Sequence, residues 1–248
     1  MLWDNEVDSV ADVTSNIEIT QVLLRVRQEY EALTTRPDAS QESFQWLNAT
    51  EAQRLMDHLQ LVLDRVEVTR EQSNYVVFLK ILRFLSRKYQ TLPSSLIIRD
   101  VVRDGSNPLA GGGFADIWRG SIGLTHNLVC IKVLRLTIEQ DEDQRDMIRK
   151  QFLHEALIWR QLKHPNVLPL LGVSSELFFP SFCLISPWMA NSNIMAYLKR
   201  NPQHNLSQTF LDISSGLNYL HSRSPPIIHG DIRGVSVFDD RGQDIYKF

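Results

Sequence analysis

The chain of 248 residues is 43% hydrophobic and 22% charged, with a formal net charge of -3, which is typical of a globular protein of one or two domains. The negative net charge means that basic residues are not in excess, as they usually are in nucleic acid-binding proteins. No apolar run approaches the roughly 18 residues that a membrane span requires. The acidic residues 1–15 form a predicted loose tail without the features of a signal peptide, so we expect an intracellular protein, in the cytoplasm or the nucleus, with the cytoplasm favoured.

Residues 16–92 carry three helical patterns, in which apolar side chains recur three or four residues apart. The three stripes lie within residues 19–33, 55–66 and 75–85. Thr50 and Gln53 predict a capping box at the start of the second helix, and Thr69 and Gln72 predict the same for the third. We expect a small helical bundle, and because no catalytic cluster lies on it, a packing or docking module.

Beyond a short linker at 91–95, the pattern changes to strands. Strands are predicted at 95–102, 115–122, 128–134, 167–173 and 178–185, with a long helix at 139–162 and two helices at 193–200 and 206–222. Strands with one inserted helix, followed by further helices, predict the α+β class. Cys130 and Cys183 fall inside two of the apolar runs and are expected to be buried free thiols.

The last predicted helix carries an apolar stripe, formed by Phe210, Ile213, Leu217 and Leu220. Exposure of such a stripe forfeits several kcal/mol, at about 1.5–3 kcal/mol for each side chain. We therefore expect this helix to be poorly packed unless the N-terminal bundle or a partner covers it.

Three features of the second half carry chemistry. Residues 109–120 read LAGGGFADIWRG, and glycines between two strands bring backbone N–H groups close to phosphates, although such a triplet is more often only a flexible turn. Lys132 lies in the apolar run VCIKV, and Glu155 on the long helix is a possible anionic partner. The alternatives are an edge-strand lysine and an ordinary surface glutamate. Asp231, in a loop after a helix, is placed to accept a hydroxyl proton, although a lone aspartate there is usually a turn former.

Taken in order, these features resemble the signature set of eukaryotic protein kinases, together with HPNVLPLLG at 164–172 and IIHGDIRG at 227–234. The resemblance is to the tyrosine-kinase-like group, and in detail to its fungal members, in which a helical segment often precedes the kinase domain. It implies a helical bundle at 16–92 and a kinase-like domain at 95–248. That domain would comprise a small lobe with an antiparallel sheet and a long helix, and the start of a helical large lobe.

The resemblance also implies roles for individual residues. Lys132 would bind the α- and β-phosphates of ATP, and Glu155 would hold Lys132. Asp231 would be the catalytic base, and Ser236 stands at the magnesium-binding position. Arg233 occupies the place of a lysine that contacts the γ-phosphate in serine/threonine kinases, which favours serine or threonine as the acceptor. The implied nucleotide-binding residues, with Ser186 as gatekeeper, are Gly111, Gly112, Gly113, Phe114, Ile117, Ile131, Lys132, Ser186, Trp188 and Met189.

Four departures from the family pattern reduce the expected activity. Ala110 and Ala115 replace two of the three loop glycines, Gly230 replaces an arginine that contacts the activation loop, and Ser236 is shorter than the usual asparagine. The sequence ends in QDIYKF where the DFG triplet is expected, which predicts a truncated domain.

Three hypotheses follow from these observations. The chain is an ATP-dependent phosphotransferase acting on protein serine or threonine, complete only in a longer product; or a catalytically inactive kinase fragment or pseudokinase that binds a nucleotide or a partner; or an interaction protein that acts through its bundle. The isolated chain is expected to be inactive. Its protein substrate or partner is not indicated by the sequence.

Overall fold

The computed structural model describes residues 21–32, 44–65, 72–111, 115–123, 126–134, 141–239 and 246–247. The chain divides into two compact units, Met1–Ser95 and Leu96–Phe248. Several predicted features lie outside the described residues: the tail at 1–15, Thr69 in the third capping box, and Gly112, Gly113 and Phe114 in the glycine-rich segment.

In its described residues the first unit contains three helices: α1 at 21–32, α2 at Ala49–Arg65 and α3 at Gln72–Tyr89. The apolar stripes of these helices supply its core, so the predicted helical bundle is present. The ring of Phe84 on α3 contacts Tyr30 of α1, with centroids 5.9 Å apart, and Phe44, at 4.8 Å. The fully or almost fully buried core side chains are Val26, Leu55, Met56, Leu59, Leu63, Ile81, Leu82 and Leu85.

Helix α2 is capped by a different pair from the one predicted. The side chain of Asn48 accepts the N–H of Glu51 at 2.9 Å, and the carboxylate of Glu51 accepts the N–H of Asn48 at 3.1 Å. This is a reciprocal capping box that begins two residues before Thr50. Gln53, predicted as its partner, instead donates to the carbonyl of Leu92 at 3.0 Å. The prediction was wrong because both asparagine and threonine are favourable N-cap residues. Which of the two caps the helix depends on the backbone conformation before the helix, and the sequence does not show that conformation.

The predicted linker at 91–95 is hydrogen-bonded within the first unit. The carboxylate of Asp57 accepts both the backbone N–H of Ser94, at 2.6 Å, and its hydroxyl, at 2.9 Å. The hydroxyl of Ser86 donates to the carbonyl of Thr91 at 2.5 Å. These bonds fasten the end of the unit to α2 and α3.

The second unit contains an antiparallel sheet formed by β1 at Val101–Arg103, β2 at Ala110–Gly111, β3 at Ala115–Ile122, β4 at Asn127–Leu134, β5 at Gly172–Phe178 and β6 at Ser181–Pro187, and a separate pair, β7 at Phe238–Asp239 and β8 at Tyr246–Lys247. The α+β class is therefore confirmed. Helix α4, Glu142–Arg160, connects β4 and β5, and α5, Ile194–Arg200, and α6, Leu206–His221, follow the sheet. In the sheet the strand order is β1-β3-β4-β6-β5, and β2 also pairs with β3.

Two predicted strands differ in the structure. The segment 95–102 becomes a strand only from Val101, after a short helical turn at Ser94–Leu96. The apolar run 167–173 stays outside the sheet until β5 begins at Gly172. Val167, Leu168 and Leu170 are nevertheless buried. An apolar run predicts burial, but whether it enters a ladder depends on the free strand edges available to it.

An apolar cluster formed by residues before and after α6 covers most of the stripe predicted on this helix. Leu220 is 2% exposed and packs with Val167, Ile194 and Val237, and the half-buried Ile213 and Leu217 lie against this cluster. The expectation of an uncovered stripe is wrong for these residues, because segments on both sides of α6 return to it. Phe210 remains 65% exposed. None of the described helices combines the length and the apolar character that a membrane crossing requires.

Candidate functional site

Buried and half-buried side chains alternate along β4, and this alternation shows which of its residues face the candidate site. Val129, Ile131 and Val133 are buried in one cluster, whereas Cys130 and Lys132 are only half-buried. Because successive side chains of a strand point to opposite faces, Lys132 and Cys130 share the face that lies opposite this cluster.

Neighbouring strands extend this face, which we call the lysine face. Lys132 pairs with Ile117 on β3 and with Leu184 on β6, and Cys130 pairs with Ser186. Directly opposed residues project from the same side of a sheet. The lysine face therefore consists of Ile117, Cys130, Lys132, Leu184 and Ser186.

Ile131, which the sequence predicted to be a nucleotide-binding residue, does not belong to the lysine face. Its side chain is fully buried and packs in the cluster that contains Trp118 and Ile185. Cys130, one residue earlier, lies on the lysine face instead, and the sequence analysis did not select it. The period-two alternation around Lys132 was the signal that could have found it.

Helix α4 brings the carboxylate of Glu155 to the lysine face. Its first turn is capped by Asp141, whose side chain accepts the N–H of Asp143 at 2.9 Å. The helix buries Phe152, Leu153, Ala156 and Leu157, which fixes its rotation and leaves Glu155 facing Lys132. The Lys132 Nζ lies 3.6 Å from Glu155 Oε1, with 40% and 50% of the two side chains exposed.

The predicted ion pair between Lys132 and Glu155 is thus present. An ion pair this exposed contributes at most about 1 kcal/mol to folding. Its main consequence is the position of the ammonium, which the carboxylate holds at the surface of the sheet, where it can meet an anion.

The start of the glycine-rich segment forms β2, which pairs with β3 within the sheet. Ala110 pairs with Ile117, and Gly111 pairs with Asp116. Gly111 is therefore held in β2, while the role predicted for the next three residues falls on positions outside the described residues.

The segment after β6 is fixed by backbone hydrogen bonds. The N–H of Trp188 donates to the carbonyl of Leu128 at 3.2 Å, and the carbonyl of Met189 accepts the N–H of Ser192 at 3.0 Å. Ser186 and Met189 are buried, at 6% and 9% exposure. Ser186, the predicted gatekeeper, therefore lies near the end of β6 beside β4, and the predicted nucleotide-binding residues Trp188 and Met189 follow it directly.

The loop after α6 presents Asp231. Gly230 has a φ of +78°, a left-handed conformation that favours glycine. The N–H of Asp231 donates to Nδ1 of His229 at 3.3 Å, and the hydroxyl of Ser236 donates to the carbonyl of Asp231 at 2.8 Å. The predicted base and the predicted metal ligand are thus neighbours joined by a hydrogen bond.

Arg233 binds both carboxylate oxygens of Asp231. Its Nε lies 2.7 Å from Oδ1 and its Nη2 lies 2.8 Å from Oδ2. This is the two-pronged guanidinium–carboxylate geometry, which is stronger and more directional than a single contact. Both side chains are largely exposed, at 66% and 61%, so the pair is accessible from solvent.

His229 connects the Asp231 loop electrostatically with the lysine face. Burial lowers the pKa of His229, and the ammonium of Lys132 lowers the pKa further, whereas the carboxylates of Asp231 and Glu155 raise it. Charges on β4, on α4 and in the loop therefore all act on the pKa of this one imidazole. In the part of the chain that the structure describes, no group of three or more His, Cys, Asp or Glu side chains is arranged to hold a metal ion.

Comparison with known proteins agrees with this geometry. The family model of protein tyrosine and serine/threonine kinases matches residues 105–243. The chain is 28% identical over 147 residues to probable serine/threonine-protein kinase pats1 of Dictyostelium discoideum, which covers 57% of the chain and 4% of that protein. It is 30% identical over 132 residues to serine/threonine/tyrosine-protein kinase HT1 of Arabidopsis thaliana, covering 51% of the chain and 32% of that protein.

A mammalian relative shows similar coverage. Mitogen-activated protein kinase kinase kinase 10 of Mus musculus is 31% identical over 133 residues, which is 51% of the chain and 13% of that protein. The chain thus spans between 4% and 32% of the length of these three relatives.

Proposed function

The chain belongs to the protein tyrosine and serine/threonine kinase family, and from this premise we propose that its second unit binds ATP on the lysine face. Kinases of this family generally use ATP with Mg²⁺. The observation that carries the proposal is the 3.6 Å approach of Lys132 to Glu155 on a face that ends at Ser186. An ammonium held by a carboxylate beside a sheet is the arrangement that binds nucleotide phosphates in kinases.

In this proposal Lys132 contacts the α- and β-phosphates, and Glu155 keeps its ammonium in place. Ile117 and Cys130 line the adenine, with Ser186 as gatekeeper. The backbone of the segment Pro187 to Met189 hydrogen-bonds the adenine edge. Gly111 and the three residues after it, Gly112, Gly113 and Phe114, cover the phosphates.

A phosphotransferase activity toward protein serine or threonine is the first candidate. Asp231 would accept the proton of the acceptor hydroxyl as that oxygen attacks the γ-phosphorus and the bond to the β-phosphate oxygen breaks. Arg233 would contact the γ-phosphate. Support for a serine or threonine acceptor comes from the position of Arg233 alone, and the magnesium role of Ser236 stays a prediction from the sequence.

A catalytically inactive nucleotide-binding module is the second candidate, and one specific observation favours it. Both oxygens of the Asp231 carboxylate are engaged by Arg233 at 2.7 and 2.8 Å. A general base must offer an oxygen to the hydroxyl it deprotonates. We therefore infer that the 248-residue chain binds nucleotide without transferring phosphate. Its partners and its intracellular location remain predictions.

Nucleotide titration tests the binding proposal. ATP should raise the melting temperature of the chain, and Lys132→Ala should weaken the affinity by about tenfold or more. The matched control is Lys150→Ala. Lys150 makes a similar half-exposed ion pair with Asp146, at 2.6 Å, on α4, and its loss should leave the affinity unchanged. Equal binding by the wild-type and Lys132→Ala chains would contradict the assignment.

Incubation with γ-labelled ATP separates the two candidates. We expect no transfer to the chain itself or to generic protein substrates. Incorporation that Asp231→Asn abolishes would establish the phosphotransferase instead.

A further inference from the structure

The last residues of the first unit are hydrogen-bonded to α2. Asp57 on this helix accepts both the backbone N–H of Ser94, at 2.6 Å, and its hydroxyl, at 2.9 Å. One turn earlier on α2, the side chain of Gln53 donates to the carbonyl of Leu92 at 3.0 Å. We call the two bonds between Asp57 and Ser94 the α2 anchor.

Residues 96–98, which we call the strap, begin the second unit and lie along β5. Strand β5 is the last in the sheet order β1-β3-β4-β6-β5, so among the described strands it has a neighbour on one side only. Ile97 forms a parallel bridge with Val173, and the N–H of Ile98 donates to the carbonyl of Val173 at 2.8 Å. The strap therefore pairs with backbone groups that an edge strand would otherwise expose.

The strap is also closely packed on the sheet. Leu96 is fully buried, and Ile98 lies against the apolar cluster that contains Ile131 and Ile185. A Cβ added at Gly172, where β5 begins, would lie 2.5 Å from the carbonyl oxygen of Leu96 and 2.7 Å from Cδ1 of Ile98. The strap is thus part of the packed sheet, on the side opposite the lysine face.

A single residue, Ser95, separates the α2 anchor from the strap. One short helical turn, Ser94–Leu96, contains this residue together with its two neighbours. Because a short connection leaves little freedom to a segment whose other end is fixed, the bound Ser94 lowers the entropy cost of holding the strap on β5.

We propose that the α2 anchor holds the strap on β5, so that the first unit stabilises the sheet of the second unit through the chain that joins them. The role of the helical bundle is then to keep the edge of β5 closed. Loss of the anchor increases the fraction of molecules in which the strap has left β5. This role is separate from nucleotide binding and does not depend on it.

Hydrogen exchange of the full 248-residue chain, without nucleotide, tests the proposal. Asp57→Ala removes both bonds of the α2 anchor and should accelerate exchange of the Ile98 N–H by about tenfold or more, because exchange follows the population of the open state. Equal exchange at Ile98 in Asp57→Ala and in the unaltered chain would overturn the proposal.

The matched control is Asp64→Ala on the same helix. Asp57 and Asp64 each accept a bond from the glutamine four residues earlier, at 3.0 and 3.1 Å, so both variants lose this contact within α2. Asp64 is not part of the α2 anchor, and its loss should leave exchange at Ile98 unchanged. An acceleration at Ile98 as large as that in Asp57→Ala would contradict the proposed role of the anchor.

Ser94→Ala separates loss of the α2 anchor from unfolding of α2. It removes the hydroxyl bond and keeps the backbone bond, so exchange at Ile98 should rise by about threefold while the amides of α2 exchange as before. Unchanged exchange at Ile98 in this variant would show that β5 holds the strap without help from the first unit.

Discussion

Cys130 and Ser186 lie directly opposite each other on β4 and β6, so their side chains are neighbours on the lysine face. Burial raises the pKa of the Cys130 thiol, while the neighbouring Ser186 side chain and the charge of Lys132 partly offset this effect. The thiol therefore stays protonated near neutral pH, on the face that we assign to the nucleotide.

We predict that ATP protects Cys130 from alkylation. Reaction with iodoacetamide should be slow, because the thiolate is the nucleophile and the raised pKa makes it scarce. Bound nucleotide should slow the reaction by about fivefold or more, because it blocks access of the reagent to the Cys130 thiol. Peptide mass spectrometry measures the rates. Cys183 is the internal control, since it is fully buried, packs in the opposite cluster and has a pKa raised to about 11. Equal rates at Cys130 with and without ATP would place the nucleotide elsewhere.

The second prediction concerns the start of α2. Asn48→Ala should lower the free energy of unfolding of the first unit by about 1 kcal/mol, because the N–H of Glu51 loses its acceptor. Thr50→Ala is the matched control and should change stability by less than about 0.5 kcal/mol. Denaturant unfolding followed by circular dichroism compares the two. A larger loss of stability in Thr50→Ala than in Asn48→Ala would support Thr50 as the capping residue, as the sequence predicted.

The third prediction concerns a close approach of β3 to its neighbours. A Cβ added at Gly120 would lie 2.5 Å from the carbonyl oxygen of Val102 and 2.6 Å from Cδ1 of Ile131. Gly120→Ala should therefore destabilise the second unit by roughly 3 kcal/mol through overpacking. At Gly105 the space is open but φ is +74°, so Gly105→Ala should cost only about 1 kcal/mol. Thermal unfolding measures both variants, and equal losses would argue against the packing of β1 on β3 described here.

The fourth prediction concerns the pH dependence that His164 contributes. Its Nδ1 accepts the N–H of Asn166 at 3.1 Å, and its ring stacks on Tyr219 with centroids 4.8 Å apart. Burial lowers the pKa of His164, so the folded state favours the neutral ring. Below about pH 6.5 the unfolded chain therefore binds more protons at this residue than the folded chain does. The contribution of His164 to the free energy of unfolding is complete above that pH and is lost as the pH falls through the lowered pKa of the folded state.

His164→Asn should reduce this acid sensitivity. The melting temperature of the unaltered chain should fall between about pH 7.5 and pH 5.5, and the fall should be smaller in the variant. It should not vanish, because burial also lowers the pKa of His58 and His229. The exposed His221→Asn is the control. An unchanged slope in His164→Asn would show that the imidazole is not coupled to folding.

Much of the fold was predictable because it depends on neighbours along the chain. The apolar spacing around Leu55 and Leu82 predicted helices that the structure contains. The alternation within β3 and β4 predicted strands at almost their observed bounds. The ion pair of Lys132 with Glu155 was also predictable, because a lysine in an apolar strand needs an anion and the helix phase offered one.

The remaining features were decided by tertiary structure. Cys130 and Ile131 both lie close to Lys132 in the sequence, but only the pairing of β4 with β3 and β6 shows which of them shares its face of the sheet. A shift of one residue in the strand register would place the other residue on that face. The run from Val167 is apolar enough for a strand, yet it packs against α6 because β5 takes the sheet edge from Gly172 onward. Arg233 and Asp231 are two residues apart in sequence, but the folded loop alone turns the guanidinium onto both carboxylate oxygens. Local periodicity thus determined the elements of this protein, whereas strand register and loop conformation, which depend on distant contacts, decided the chemistry of its site.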